Sequence, residues 1–199
     1  MDPRLIRWGV AVKSRLGGRV PPMWLFTDEV RLPDPRAVVA RLPKGLCGLV
    51  LRHDAASDRV RLGEDLARVC RERRIVLVVA GDWKLAHHLR AGTHLRGGRK
   101  ARNTRAVEGT LITSSCHNPI EAVRANHLRA DAVFTSPLFA TASHPGVKPL
   151  GTLRWMTISG RFHGARLALG GLAAAKLRRV PVPKAAGFGG ISCFEQPPV

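Results

Sequence analysis

Residues 75–80 read Ile-Val-Leu-Val-Val-Ala, six apolar side chains in a row between the charged run Arg71–Arg74 and the turn Gly81-Asp82. A strand with one wet face alternates apolar and polar residues. A strand without a polar position must be covered on both faces, as in a parallel sheet flanked by helices. Working outward, similar short runs predict strands over Met23–Thr27, Leu46–Arg52, Thr93–Leu95, Thr110–Ser115, Ala132–Ser136, Arg166–Gly170 and Gly189–Phe194. Between them lie helical patterns. Arg61–Arg73 places Leu62, Leu66, Val69 and Cys70 on one face. Asn118–Arg129 opens with a capping Asn118, Pro119 in the first turn and Glu121 at the third position. Eight strands alternating with helices give the α/β class and suggest a closed (β/α)₈ TIM barrel, with a doubly wound open sheet as its rival. Residues 1–20 form an N-terminal extension whose Pro3–Arg15 helix caps the barrel from beneath. The barrel takes residues 21–195, its last helix missing or shortened, and residues 196–199 are a tail.

The 199-residue length and 45% hydrophobic content suit one domain with a packed core. No apolar run approaches the roughly 20 residues of a membrane span, and the N-terminus lacks the pattern of an export signal. Four cysteines occur without a CxxC pair, against both a zinc ribbon and a disulfide scaffold; a cytoplasmic protein with reduced thiols is the expectation. The net charge of +19 attracts phosphates and polyanions. Six Phe, four Trp and no Tyr argue against the aromatic platform that single-stranded nucleic acid needs, and the basic residues are spread along the chain.

In such a barrel the chemistry sits at strand C-terminal ends and in the loops that follow. Polar residues gather there: Arg52-His53-Asp54, Gly81-Asp82, His94-Leu95-Arg96, Ser115-Cys116-His117, Ser136 to His144, Gly170-Gly171 and Ile191-Ser192. Gly170-Gly171 after the seventh strand and Gly189-Gly190-Ile191-Ser192 at the eighth let backbone N–H groups approach an anion, at the usual phosphate position of this fold. The long connection 135–151 carries Thr141, Ser143, His144 and Lys148, all phosphate donors. His117, past a strand end and before a capped helix, is a candidate proton carrier. His87, His88, His127 and His163 fall on expected helices as solvated residues. The basic run Arg96, Arg99, Lys100, Arg102, Arg105 would border the mouth, either drawing in polyanionic substrate or simply solvated. No HxH, HExxH, GxSxG or P-loop is present.

These stations resemble the thiamine phosphate synthase/TenI family, whose members are (β/α)₈ barrels. The resemblance rests on SPLFATASHPGVKPLG (136–151), LFTDE (25–29), LVLRHDA (49–55), LVVAGDWKLAHHLRAGTHLRGG (77–98), SSCHNPIEA (114–122) and LALGGL (167–172), in family order. It implies thiamine biosynthesis, joining an aminomethyl-pyrimidine diphosphate to a thiazole phosphate with release of pyrophosphate and assistance from Mg²⁺. By resemblance, Arg52, Thr141 and Ser143 contact the pyrophosphate or thiazole side and Ser115 the pyrimidine. Gly170, Gly171, Ile191 and Ser192 cradle the thiazole phosphate. Small phosphorylated molecules are the implied partners, with a homo-oligomer allowed for. The chain also departs from the family. Ala80-Gly81 stands for its Asn-Asp pair, Arg99 for its second Mg²⁺ carboxylate, and Asp54 and His144 for two lysines. Asp82 and Asp54 are the nearby carboxylates left for a metal. TenI-type members also lack the metal carboxylates, and some isomerise a thiazole carboxylate phosphate; His117 matches their acid/base histidine. A degenerate barrel binding a phosphorylated ligand or RNA is the non-enzymatic alternative.

Overall fold

The computed structural model describes residues 1–97, 107–141, 146–181 and 184–195. Strands β1 (Met23–Phe26), β2 (Cys47–Leu51), β3 (Val76–Ala80), β4 (Gly92–Leu95), β5 (Ile112–Cys116), β6 (Ala132–Thr135), β7 (Ala165–Leu169) and β8 (Gly187–Gly190) pair in parallel in sequence order and close, β8 on β1. The expected barrel is therefore present, and the open sheet is excluded. Helices α1 (Pro3–Leu16), α2 (Arg36–Ala40), α3 (Arg59–Arg73), α4 (Trp83–His88), α5 (Pro119–His127) and α6 (Gly151–Ser159) accompany the strands. A 3₁₀ turn over Ala174–Arg179 links β7 to β8.

Helix α1 is started by Asp2, whose carboxylate accepts from the Arg4 N–H at 2.8 Å, and ended by Gly17 in the left-handed conformation. It packs at the N-terminal end of the barrel. Trp8 meets Phe188 with centroids 5.4 Å apart, and Gly9 lies against Met23.

Inside the barrel, aromatic bulk on one wall is matched by missing side chains on another. Trp24 and Phe26 of β1 meet Phe134 of β6 edge-on, with centroids at 5.4 and 4.8 Å. Gly48 lies beneath Trp24, where a Cβ would overlap the indole, and a Cβ at Gly189 would come within 2.8 Å of Phe26. Since interiors pack at crystal density, an added methyl has nowhere to go. Gly48→Ala is accordingly expected to destabilise the fold by about 1–3 kcal/mol, read as a lower urea midpoint. An unchanged midpoint would show that the indole yields freely.

The same crowding explains one misplaced element. The eighth strand was expected over Gly189–Phe194 but runs Gly187–Gly190, and Ser192–Phe194 is a 3₁₀ turn. The strand is glycine-rich because Gly187 passes close to the Pro22 carbonyl and Leu167; that composition hides its strand character. His163 also differs from expectation, lying in the turn between α6 and β7 with its N–H donating to Asn126 Oδ1 at 3.0 Å. His87, His88 and His127 are on helices and exposed, as expected. Among the described residues no helix is long and apolar enough to cross a membrane.

Candidate active site

A cavity of about 360 Å³ opens at the C-terminal ends of the strands. It gathers Arg52, His117, Thr141, Gly170, Gly171, Ile191 and Ser192, seven of the candidates read from sequence, from β2, β5, β6, β7 and β8 or the loops after them. Phe26 and Leu169 line it as well, and Arg31 enters from the β1 loop. A larger groove of about 610 Å³ runs along the outer wall past Arg19, Cys70, His88 and Leu111. It lies away from the strand C-termini, so the mouth cavity is the better site.

One side of the cavity is built largely from glycine backbone. Gly170 and Gly171 have φ of 97° and 64°, a left-handed region that favours glycine. A Cβ on Gly171 would overlap the Ala140 carbonyl oxygen, and one on Gly170 would come within 2.9 Å of Pro137. The loop after β6 is tied to this edge by Leu138 N–H donating to Leu169 O at 2.8 Å and Phe139 N–H to Gly170 O at 3.1 Å. Among the described residues, no backbone hydrogen bond engages the N–H of Gly171, Leu172 or Ser192, which leaves those donors for a ligand. Arg31 reaches across and donates to Ser192 Oγ at 2.5 Å. Glycine backbone, a short turn and a guanidinium together suit a phosphate.

The opposite side holds His117 and Arg52. The His117 N–H donates to Glu121 Oε2 at 2.8 Å, while Asn118 Oδ1 accepts from the Glu121 N–H at 3.0 Å. The capping signal at the start of α5 thus also fixes the backbone of the histidine. His117 Nδ1 lies 3.1 Å from the Ser136 carbonyl oxygen and 3.3 Å from its Oγ; donation to the carbonyl needs the proton on Nδ1, and in that tautomer Nε2 is the acceptor. The Arg52 N–H is held by Thr27 Oγ1 at 2.8 Å, its guanidinium lies 6.0 Å from the Phe26 ring centroid, and no described carboxylate pairs with it.

Ser115 does not line this cavity. Its Oγ lies 3.0 Å from His94 Nε2, and Thr113 Oγ1 lies 2.9 Å from His94 Nδ1. His94 is buried between Phe26 and Phe134, and burial, reinforced by the Arg52 and Arg96 charges, pushes its pKa down to about 3. It is a neutral interior residue. Ser143 and His144 lie outside the described residues, as do Arg99, Lys100, Arg102 and Arg105.

The metal candidates are already engaged. Asp82 caps α4, accepting from the Leu85 N–H at 3.0 Å, and its other oxygen lies 3.7 Å from Arg59 Nη1. Asp54 pairs with Arg59 Nη2 at 3.2 Å and with Arg96. No group of three potential metal ligands occurs among the described residues. Mg²⁺ favours carboxylate oxygens free to face phosphate and water. Two carboxylates spanned by a guanidinium do not fit it.

A closed (β/α)₈ barrel with glycine turns lining its mouth after β7 and β8 defines the class: a TIM-barrel scaffold. The thiamine monophosphate synthase family profile matches residues 26–194, and the chain belongs to that family, which serves thiamine biosynthesis. It is similar to the thiamine-phosphate synthase of Bordetella pertussis, 30% identical over 194 residues covering 90% of this chain and 88% of that one. A thiamine phosphate pyrophosphorylase from Pyrococcus furiosus shares the fold, with a TM-score of 0.69 at 19% identity over 85% of each chain.

Two residues escape the sequence reading as site features, and a third, His94, enters it only as one of the polar residues at the strand ends. Arg31 lies in a loop whose return onto the eighth strand end is tertiary. Arg59 opens a helix, where a basic residue reads as solvated. His94 lies between Thr93 and Leu95 in a four-residue strand, a local pattern that gives no hint of its two hydroxyl partners. A titratable residue within a short strand was the available signal for the last.

Proposed function

We propose that this protein is a thiamine-phosphate synthase, joining an aminomethyl-pyrimidine diphosphate to a thiazole phosphate. The observation that carries the reading is the convergence, in one cavity of a barrel of this family, of the Gly170-Gly171 and Ile191-Ser192 cradle with the unpaired Arg52. The thiazole phosphate would rest on the backbone donors of the cradle, which orients its ring nitrogen toward the methylene carbon of the pyrimidine. As the carbon–oxygen bond breaks, its electron pair leaves with the pyrophosphate, and the nitrogen lone pair forms the new carbon–nitrogen bond. Charge develops on the departing oxygen, where Arg52 meets it; Thr141 adds a hydroxyl donor, and Ser143 and His144 follow it in the sequence as further donors. His117 presents Nε2 as an acceptor for a donor on the substrate. Ser115 acts through His94, holding the floor beneath the pyrimidine. Phosphorylated small molecules are thus the expected partners.

Product formation from the two substrates tests this reading directly. Arg52→Ala is expected to lower kcat by about 10²–10³-fold with the fold retained, the magnitude for losing one preorganised donor. Absence of thiamine phosphate from the folded wild-type protein would overturn the assignment. Tautomerisation would instead make His117 Nε2 the proton carrier, and isomerisation of a thiazole carboxylate phosphate that disappears in His117→Ala would identify it.

A further inference from the structure

Four charged side chains meet at the C-terminal ends of β2, β3 and β4, beside the cavity rather than in it. Arg59, at the first position of α3, points back over the barrel rim. Its Nη2 donates to the Ala80 carbonyl oxygen at 2.8 Å and pairs with Asp54 at 3.2 Å, while Nη1 faces Asp82 at 3.7 Å. The side chain is 17% exposed, and its Nε has no partner. Asp54 uses its second oxygen to hold Arg96. The Arg96 guanidinium lies over Gly81, where a Cβ would come within 2.9 Å of its Nε. Any side chain at position 81 would displace it. Arg52 follows the last residue of β2 and Arg96 the last residue of β4, so the two arginines stand at strand C-terminal ends on either side of β3.

We propose that Arg96, seated on Gly81 and clamped by Asp54, is with Arg52 a metal-free diphosphate clamp, and that Arg59 is the positioning residue that keeps Asp54 and Asp82 from binding a divalent cation. The inference rests on the synthase reading for the identity of the substrate, but not for its test. A guanidinium is a fixed cation whose planar fork matches two phosphate oxygens, and it needs no carboxylate cage in the site. It does need orientation, because a long exposed side chain loses rotamer freedom when it binds. Asp54 supplies that orientation, and Arg59 supplies Asp54 with the counter-charge that fixes it. A bare α-carbon at position 81 and a carboxylate at position 54 are then two halves of one arrangement. Arg96 is 54% exposed, so its head can turn to an incoming anion without leaving the rim.

Calorimetric titration of the full chain with inorganic pyrophosphate tests the clamp. The dissociation constant is expected to agree within about twofold in EDTA and in millimolar Mg²⁺. Arg96→Met should weaken binding about tenfold or more in both, a loss typical of a charge-assisted bidentate contact. Mn²⁺ titration followed by electron paramagnetic resonance tests Arg59: the wild type should bind no Mn²⁺ at the rim, and Arg59→Met should bind one ion that Asp82→Asn then removes. Pyrophosphate binding that requires Mg²⁺, its absence under both conditions, or Mn²⁺ bound by the wild type and lost in Asp82→Asn would each overturn the proposal. Pyrophosphate binding of the expected kind without thiamine phosphate formation would leave the clamp standing and remove the synthase reading.

Discussion

Gly171→Ala is expected to abolish measurable binding of the thiazole phosphate, a loss of about 100-fold or more, while the barrel stays folded by circular dichroism. Two separate obstacles act at this position. The backbone has φ of 64°, a conformation that costs an alanine about 1 kcal/mol. The new methyl would also overlap the Ala140 carbonyl oxygen, a backbone atom that has no rotamer to change. Relief requires either the Gly170-Gly171 turn or the Phe139–Thr141 segment to move, and each lines the cradle. Because Leu138 and Phe139 are hydrogen-bonded to Leu169 and Gly170, a shift on one side carries to the other. The milder Ser192→Ala removes one hydroxyl and the Arg31 contact, for an expected loss of about tenfold. Unchanged affinity in folded Gly171→Ala would show that the phosphate binds elsewhere.

Acidification is expected to destabilise the protein well before its carboxylates titrate, and His94 is the cause. Its pKa in the fold is about 3, against 6.5 for an ordinary histidine. Below pH 6.5 the unfolded chain takes up a proton that the folded chain refuses, so protons favour unfolding. Stability is therefore full above pH 6.5 and falls as pH drops toward 3, by up to about 1.4 kcal/mol per pH unit. Asp34, whose pKa is lowered by the Arg36 N–H and guanidinium, adds its own loss only within and below the carboxylate range. Urea midpoints measured stepwise between pH 7 and pH 5 isolate the histidine. His94→Gln, which cannot titrate, should lose most of that slope even if its absolute stability is lower. An equal slope in the two proteins would assign the acid sensitivity to other groups.

The contrast between these two residues shows what was legible in the chain. Gly171 stood out through its placement: a glycine pair alone is what any turn needs, but this one follows the seventh strand, where fold rules expect a phosphate. His94 is equally constrained, but the chain marks it only as a polar residue at a strand end, since its environment comes from Phe26, Phe134, Thr113 and Ser115 on three other strands. Asp82 read as a metal candidate because its neighbour in space, Arg59, is remote in sequence and sits at a helix start.

The sequence by itself determined the class of fold, the strand ends at which polar residues collect, the capped start of α5 and the glycines that line the mouth cavity. Each depends on periodicity or on the backbone chemistry of one or two adjacent residues, which act over the range of a single element. Tertiary structure alone decided three things: which aromatic residues the interior glycines accommodate, that Ser115 serves His94 rather than the cavity, and that Arg59 and Arg96 hold the carboxylates at the rim. Those outcomes depend on closure, which brings side chains from non-adjacent positions into contact. Charges and hydroxyls choose partners by distance in space, and only the closed barrel fixes those distances.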